Sequence, residues 1–342
     1  MRAPAFWWRP QAGLWARLLA PLGSVYGGVT AWRMRRRGGR AGVPVVCIGN
    51  FVAGGAGKTP TAIAVARLLV ACGETPVFLS RGYGGSLSCG AKAVRVDRAH
   101  HTAEQVGDEP LLLARVAPTI VAARRECGAR AACEAGASVI VMDDGLQNAS
   151  LCKDLAIAVV DGASGIGNGL AIPAGPLRAP LRAQMPQIDA VVVIGPGGAG
   201  EAVTRSAGLA HKLRLTAALA ADPAVAAALG RRPVVAFAGI GRPDKFFATL
   251  AGLGVDIVAR RAFADHHVYS ADEIAGLRRL ADAHDAVLVT TEKDAMRIAE
   301  RERDALVVLP VSLIFEDAAA MAALLTEKLA AARRCLQPAT GP

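Results

Sequence analysis

The chain has 342 residues, 53% of them hydrophobic and 20% charged, with 39 basic against 29 acidic side chains. These are the proportions of a globular α/β protein with room for two domains, and they exclude a disordered or fibrous chain. The positive excess is confined to one end, because no Asp or Glu precedes Glu74 while the remainder is balanced, which excludes a surface coated with basic charge for nucleic acid.

Trp7, Trp8, Trp15 and Trp32, the only tryptophans, open the chain. Leu14, Leu18, Leu22, Val25, Val29 and Trp32 recur at steps of three and four, the spacing of one helical face. Arg33, Arg35, Arg36 and Arg37 follow. Trp favours the membrane–water interface and Arg favours anionic headgroups. The stretch 13–31 holds Arg17, Pro21 and several glycines, which argues against a spanning segment. Residues 1–40 therefore read as a membrane-associated arm, a helix lying in the interface with Pro21 as a point where it can break. The arm leads straight into the next motif and shows no clear cleavage site, so it does not read as a signal peptide.

Residues 43–48 read as a strand and 61–69 as a helix. Between them runs Val52-Ala53-Gly54-Gly55-Ala56-Gly57-Lys58-Thr59. A glycine loop in that setting turns backbone N–H groups inward around phosphate oxygens. The helix N-terminus adds partial positive charge, Lys58 reaches the β/γ-phosphates, and the Thr59 hydroxyl can ligate Mg²⁺. The usual motif has Gly where Val52 stands.

Residues 76–80 form a second predicted strand, ending in the loop Ser80-Arg81-Gly82-Tyr83-Gly84-Gly85. Val106-Gly107-Asp108-Glu109-Pro110 opens a helix, with Pro110 at the first helical position. The apolar runs 137–142 and 155–160 end in Asp143-Asp144-Gly145 and in Asp161. Runs of this kind alternating with helices are buried strands of a parallel sheet. A Gly/Pro cluster at 195–200 breaks the pattern, and the domain boundary is expected within 195–230. Strands are then expected at 234–238, 255–258, 286–290 and 306–309. Ser270 and Glu273 form a capping box for a helix to about Ala283.

The fold expected is α/β. It consists of a P-loop NTPase-like, mainly parallel sheet domain at 41–200, a smaller α/β domain at 201–342 that closes over the site, and the N-terminal membrane-associated helix. The seven cysteines are odd in number, contain no C-x-x-C and read as reduced thiols.

A phosphate loop needs a metal partner, and an acidic residue at the tip of a neighbouring strand is the usual supplier, a place that Asp143 and Asp144 fit. Phosphoryl transfer to an alcohol also profits from a positioned base. Asp108, at a helix start, is one candidate. His266, within Asp265-His266-His267, is another, and the two can meet across a cleft between domains.

Several blocks together resemble the tetraacyldisaccharide 4′-kinases, the lipid A 4′-kinases of Gram-negative bacteria. They are Ile48-Gly49-Asn50 with Gly54 to Pro60, Ser80 to Gly84, Val106 to Pro110, Asp143-Asp144-Gly145-Leu146-Gln147, Gly167-Asn168-Gly169 and Pro173-Ala174-Gly175-Pro176-Leu177-Arg178. Ala238 to Gly241, Asp265-His266-His267 and Thr291 to Ala295 complete the series. The resemblance implies transfer of the ATP γ-phosphoryl to the 4′-hydroxyl of a lipid-linked disaccharide 1-phosphate at the cytoplasmic face of the inner membrane. It implies ATP and Mg²⁺ as cofactors. It implies Lys58 on phosphate, Thr59 with Asp143 or Asp144 on the metal, Asp108 as base supported by His266, and Arg178 as a nucleotide contact. The family commonly has Phe and His where Leu146 and Asn148 stand, and Glu at Ala179, so these positions carry no assigned role. The competing reading is a membrane-associated P-loop NTPase switch or nucleotide sensor without lipid kinase activity.

Overall fold

The computed structural model describes residues 3–336 except 91, 210 and 231. Its strands, in chain order, are β1 (Val45–Asn50), β2 (Pro76–Ser80), β3 (Val94–Arg95), β4 (Thr119–Val121), β5 (Val139–Asp143), β6 (Leu155–Asp161), β7 (Ala190–Ile194) and β8 (Leu213–Ala221). There follow β9 (Val234–Ala238), β10 (Ile257–Ala262), β11 (Val287–Thr291), β12 (Val307–Leu309) and β13 (Val311–Phe315). A nine-stranded sheet runs β13-β8-β7-β6-β1-β5-β2-β4-β3 and a four-stranded sheet runs β10-β9-β11-β12. The large sheet is parallel from β4 to β8, with antiparallel β3 and β13 at its edges. The mainly parallel α/β architecture is thus the one expected.

Strands β1, β2, β5, β6 and β7 are buried along their whole length, which is why they read as continuous apolar runs. Strand β1 sits between β5 and β6, where chain connections leave to both sides of the sheet. That switch point opens a crevice at the strand C-termini, the usual ligand site of such sheets.

The sheets divide the chain differently from the expected 201–342 domain. Strand β8 pairs with β7, and β13 returns to pair with β8. The helix Ala318–Leu336 then buries Met321, Leu325 and Leu329 in the same apolar cluster as Val65 and Leu69 of the helix Lys58–Ala71. The smaller sheet is therefore an insertion between β8 and β13. The signal missed was the alternation of Leu213, Leu215 and Ala217, the pattern of a strand with one covered face. Strand β10 begins at Ile257 and ends at Ala262, later than expected, because Arg260 and Arg261 on this exposed edge interrupt the apolar run. The helix expected from Pro110 begins at Asp108. The first-turn N–H groups of a helix have no intrahelical acceptor, so Pro is tolerated anywhere in that turn. The Ser270–Glu273 capping box forms as expected.

The arm holds a short 3-10 turn, Ala5–Trp8, and then a helix, Leu14–Met34, that runs unbroken through Pro21. It lies on the 171–180 segment through small residues. A Cβ on Gly23 would fall 2.6 Å from the Ala171 carbonyl oxygen, and one on Gly27 would fall 2.9 Å from the Ala171 Cβ. Leu14, Trp15, Leu18, Leu22, Val25, Val29 and Trp32 point outward and are exposed. Among the described residues no helix is long and apolar enough to cross a membrane.

Candidate active site

The phosphate loop leaves β1 at the switch point. Gly57 takes φ +87°, and a Cβ there would fall 2.6 Å from the Ile194 Cδ1, so the turn into the helix requires glycine. Not every residue of the expected loop faces the cradle. Val52 is buried, and its carbonyl accepts from Arg178 Nε at 3.2 Å. Ala53 donates its N–H to the Pro176 carbonyl at 2.7 Å. The amide of Ala53 is thus spent inside the protein, which leaves Gly54 to Lys58 as the candidate cradle.

Asp143 ends β5 directly beside β1. The Thr59 hydroxyl donates to its Oδ2 at 3.2 Å, while its Oδ1 is buried with no hydrogen-bond partner among the described residues. Burial, with Glu109 and Asp144 repelling, pushes Asp143 up to about 7. A buried carboxylate with an unused oxygen beside a hydroxyl is a hard-oxygen donor set for a divalent cation, so these residues fit Mg²⁺.

Asp144 is placed otherwise. It adopts φ +54°, a strained backbone for a non-glycine residue. Arg178 grips it with two bonds of 2.8 and 2.9 Å, and Lys58 Nζ lies 3.6 Å from Oδ2. Burial alone would raise its pKa, but Lys58 and Arg178 outweigh that and hold it at about 2. Both its oxygens are engaged by cations, so of the two expected metal carboxylates Asp143 is the one with an unpartnered oxygen. Arg178 is held in turn by the Val52 carbonyl and by Gln147 Oε1 at 3.3 Å. Gln184, fully buried, donates to the Phe51 and Ala179 carbonyls and fixes this wall of the loop.

The second cluster joins the two sheets. Asp108 is buried, and its Oδ1 accepts the Glu109 N–H at 2.9 Å. Its Oδ2 lies 3.1 Å from His266 Nδ1 and 3.4 Å from Arg297 Nε. Burial raises the Asp108 pKa, but the His266 bond, Lys293 and Arg297 prevail and bring it to about 2. The Asp108 hydrogen bond raises the His266 pKa against its burial. With Asp108 ionised, Nδ1 carries the proton and donates. His266 stands at φ +57° on a turn after β10 whose N–H bonds the Gly239 carbonyl.

Sequence reasoning brought Asp108 and His266 together but missed what surrounds them. Arg297 donates to the Gly239 carbonyl and to Asp294 at 2.7 Å, and Asp294 also accepts from Tyr269 and Gly239. Lys293 pairs with Glu109 at 2.6 Å and Arg115 with Glu292 at 2.9 Å. Lys293 lies in the block 291–295, and no spacing in the sequence shows that it pairs with Glu109, 184 positions upstream. A cavity of about 600 Å³ opens beside the pair, lined among others by Tyr83, Asp108, His266, Arg297 and Arg303.

The family described as tetraacyldisaccharide-1-P 4′-kinase matches residues 15–330. This chain belongs to that family. It is 58% identical over 331 residues to the tetraacyldisaccharide 4′-kinase of Methylobacterium nodulans, covering 97% of this chain and 96% of that one. It is 49% identical to the namesake of Nitrobacter hamburgensis, covering 98% and 100%. Among solved structures, the "apo" form of LpxK from Aquifex aeolicus in complex with ATP aligns with a TM-score of 0.71 at 23% identity, covering 92% of this chain and 99% of that one. That likeness carries the fold. In this family member the family-atypical Leu146 and Ala179 are both buried, and Asn148 bonds Ser150 through its Oδ1.

Proposed function

We infer that this chain is an ATP-dependent lipid kinase, transferring the γ-phosphoryl of ATP to the 4′-hydroxyl of tetraacyldisaccharide 1-phosphate to give lipid IVA in lipid A biosynthesis. The observation that carries this reading is a buried Asp108 paired with a half-buried His266 beside a phosphate loop in a chain of this family. A switch or sensor has no need of such a pair.

ATP supplies the phosphoryl group, and a bound Mg²⁺ would neutralise charge on the phosphate oxygens. Amides 54–58 and the Lys58 ammonium would hold the phosphates, and Thr59 and Asp143 would hold the metal. Arg178 and Asp144 brace the loop and the lysine. The acceptor hydroxyl gives its proton to Asp108, whose charge His266 stabilises by donation from Nδ1. Arg297 keeps the Asp108 carboxylate in place.

The acceptor is held in a bilayer by its acyl chains, so the enzyme must go to it. The outward Leu, Val and Trp face of the arm, followed by the Arg33–Arg37 cluster, suits the anionic cytoplasmic face of the inner membrane. The deciding experiment gives the purified protein radiolabelled ATP and the disaccharide 1-phosphate in detergent. Labelled lipid is expected. ATP hydrolysis without labelled lipid would instead establish the switch reading.

A further inference from the structure

Asp161 ends β6, which neighbours β1 on the side opposite β5. Its carboxylate is buried, and no step above uses it. Ser164 donates its N–H and its hydroxyl to Oδ1, each at 2.9 Å. Two cations reach it from the inserted small unit: Arg242 Nη1 lies 3.1 Å from Oδ1, and Lys245 Nζ pairs with Oδ2. Arg242 also donates to Ser164 Oγ at 2.7 Å.

Arg242 directly follows Gly241 and precedes the helix Pro243–Gly252, and Lys245 lies in the first turn of that helix. A Cβ on Gly241 would lie 3.6 Å from the Gly55 backbone nitrogen. The turn that Asp161 grips is therefore the one that covers the phosphate loop. The Trp8 ring lies 4.3 Å from the Arg242 guanidinium carbon. Its neighbour Trp7 is tied down, its carbonyl accepting the Asn168 N–H at 2.8 Å and its indole N–H donating to the Pro173 carbonyl at 2.9 Å.

We propose that Asp161 is a positioning residue, a latch whose pairing with Arg242 and Lys245 holds the small unit over the phosphate loop and so keeps His266 on Asp108, with Trp8 of the N-terminal arm packed on the same guanidinium. The part concerning His266 rests on the kinase reading. A carboxylate in a low-dielectric pocket is costly without its cations, so swinging the small unit away leaves Asp161 with Ser164 alone. The contacts at Asp108 and Glu109 form one anchor of the small unit, and Asp161 forms another. With a single anchor a rigid unit can rotate about it. With two, the approach of His266 to Asp108 has one orientation, and misplacing such a group is expensive in rate. Trp8 brings the membrane arm to the same point, so the seating of the arm and the closure of the small unit share one guanidinium.

The test uses the full chain in detergent and compares the wild type with Asp161→Asn, Arg242→Ala, Arg242→Lys and Trp8→Ala. Asp161→Asn and Arg242→Ala should each lower kcat about tenfold while KM for ATP moves less than about threefold. Their combination should be no worse than either alone, since both remove one interaction. Arg242→Lys should recover most of the rate, and Trp8→Ala should fall between wild type and Arg242→Ala. Amide exchange should quicken at 239–245 and 265–267 while the nine-stranded sheet keeps its protection. Two results would overturn the latch: kcat within about twofold of wild type with unchanged exchange in Asp161→Asn, or loss of protection throughout the large sheet, which marks a merely structural residue. If the wild type labels no lipid, the kinase reading fails, while the exchange data still test the latch.

Discussion

The phosphate loop occupies consecutive residues, 52–59, whereas the Asp108–His266 pair joins residues 158 apart. Strand, turn and helix geometry dictate the loop locally. The pair exists because an inserted four-stranded sheet is held against the end of a nine-stranded one. The loop should therefore fail residue by residue, while the pair should also fail when a distant support is removed.

The largest effect is expected in the loop. Lys58→Met should lower kcat by about 10³-fold, because a charge aimed at the transferring group has no substitute. Single-turnover kinetics check this, and a loss of less than about tenfold would separate Lys58 from the chemistry. Next comes Asp108→Asn, with about 10²-fold lost from kcat and ATP affinity retained by the intact loop, measured by turnover beside nucleotide titration. Equal losses in both would show that the two regions are not independent.

A support mutation sharpens the contrast. Asp294 is fully buried among Tyr269, Gly239, Thr291 and Arg297. Asp294→Ala should cost about 3 kcal/mol, because it strands buried donors and the Arg297 charge. The loss should show in thermal melts of the small unit, with turnover reduced and the phosphate loop still binding nucleotide.

The pair also predicts a pH window. Asp108 sits at about 2 in the folded protein, below its ordinary value, so its contribution is present above about pH 4 and is lost as pH falls through about 2. The His266 pKa is raised, so its contribution is complete below about pH 6.5 and is lost as pH rises through the raised value. The stability difference between wild type and His266→Gln should therefore be greatest between about pH 4 and 6.5 and shrink at pH 9. A difference that stays flat from about pH 4 to about pH 9 would remove the ion pair.

The smallest effect on the fold is expected at the arm. Leu22 points away from the protein, and Leu22→Ser should change stability by less than about 0.5 kcal/mol. Binding to vesicles containing anionic lipid should nonetheless weaken. Unchanged vesicle binding would remove the arm from the membrane.

How far each region could be read follows from how it is built. Lys58, Thr59 and the strand-end aspartates were legible because motif spacing and buried parallel strands are local patterns. Asp143 and Asp144 are adjacent and look alike in sequence, and their environments are separated by Thr59 on the first and by Lys58 and Arg178 on the second. The pairings of Arg297, Lys293 and Asp161 carried no signal, since an ion pair across domains leaves no periodicity in either partner. The alternation in β8 was legible but weak, and overlooking it hid the return of the chain to the large sheet.

The sequence alone determined the phosphate loop, the parallel core, the outward apolar face of the arm and the family, each through a local pattern. The tertiary structure decided which aspartate keeps an unpartnered oxygen, where the small unit is inserted, and which carboxylates, Asp108 and Asp161, hold His266 and the 241–245 turn in place. Those outcomes depend on distances between segments far apart in the chain, and packing sets such distances.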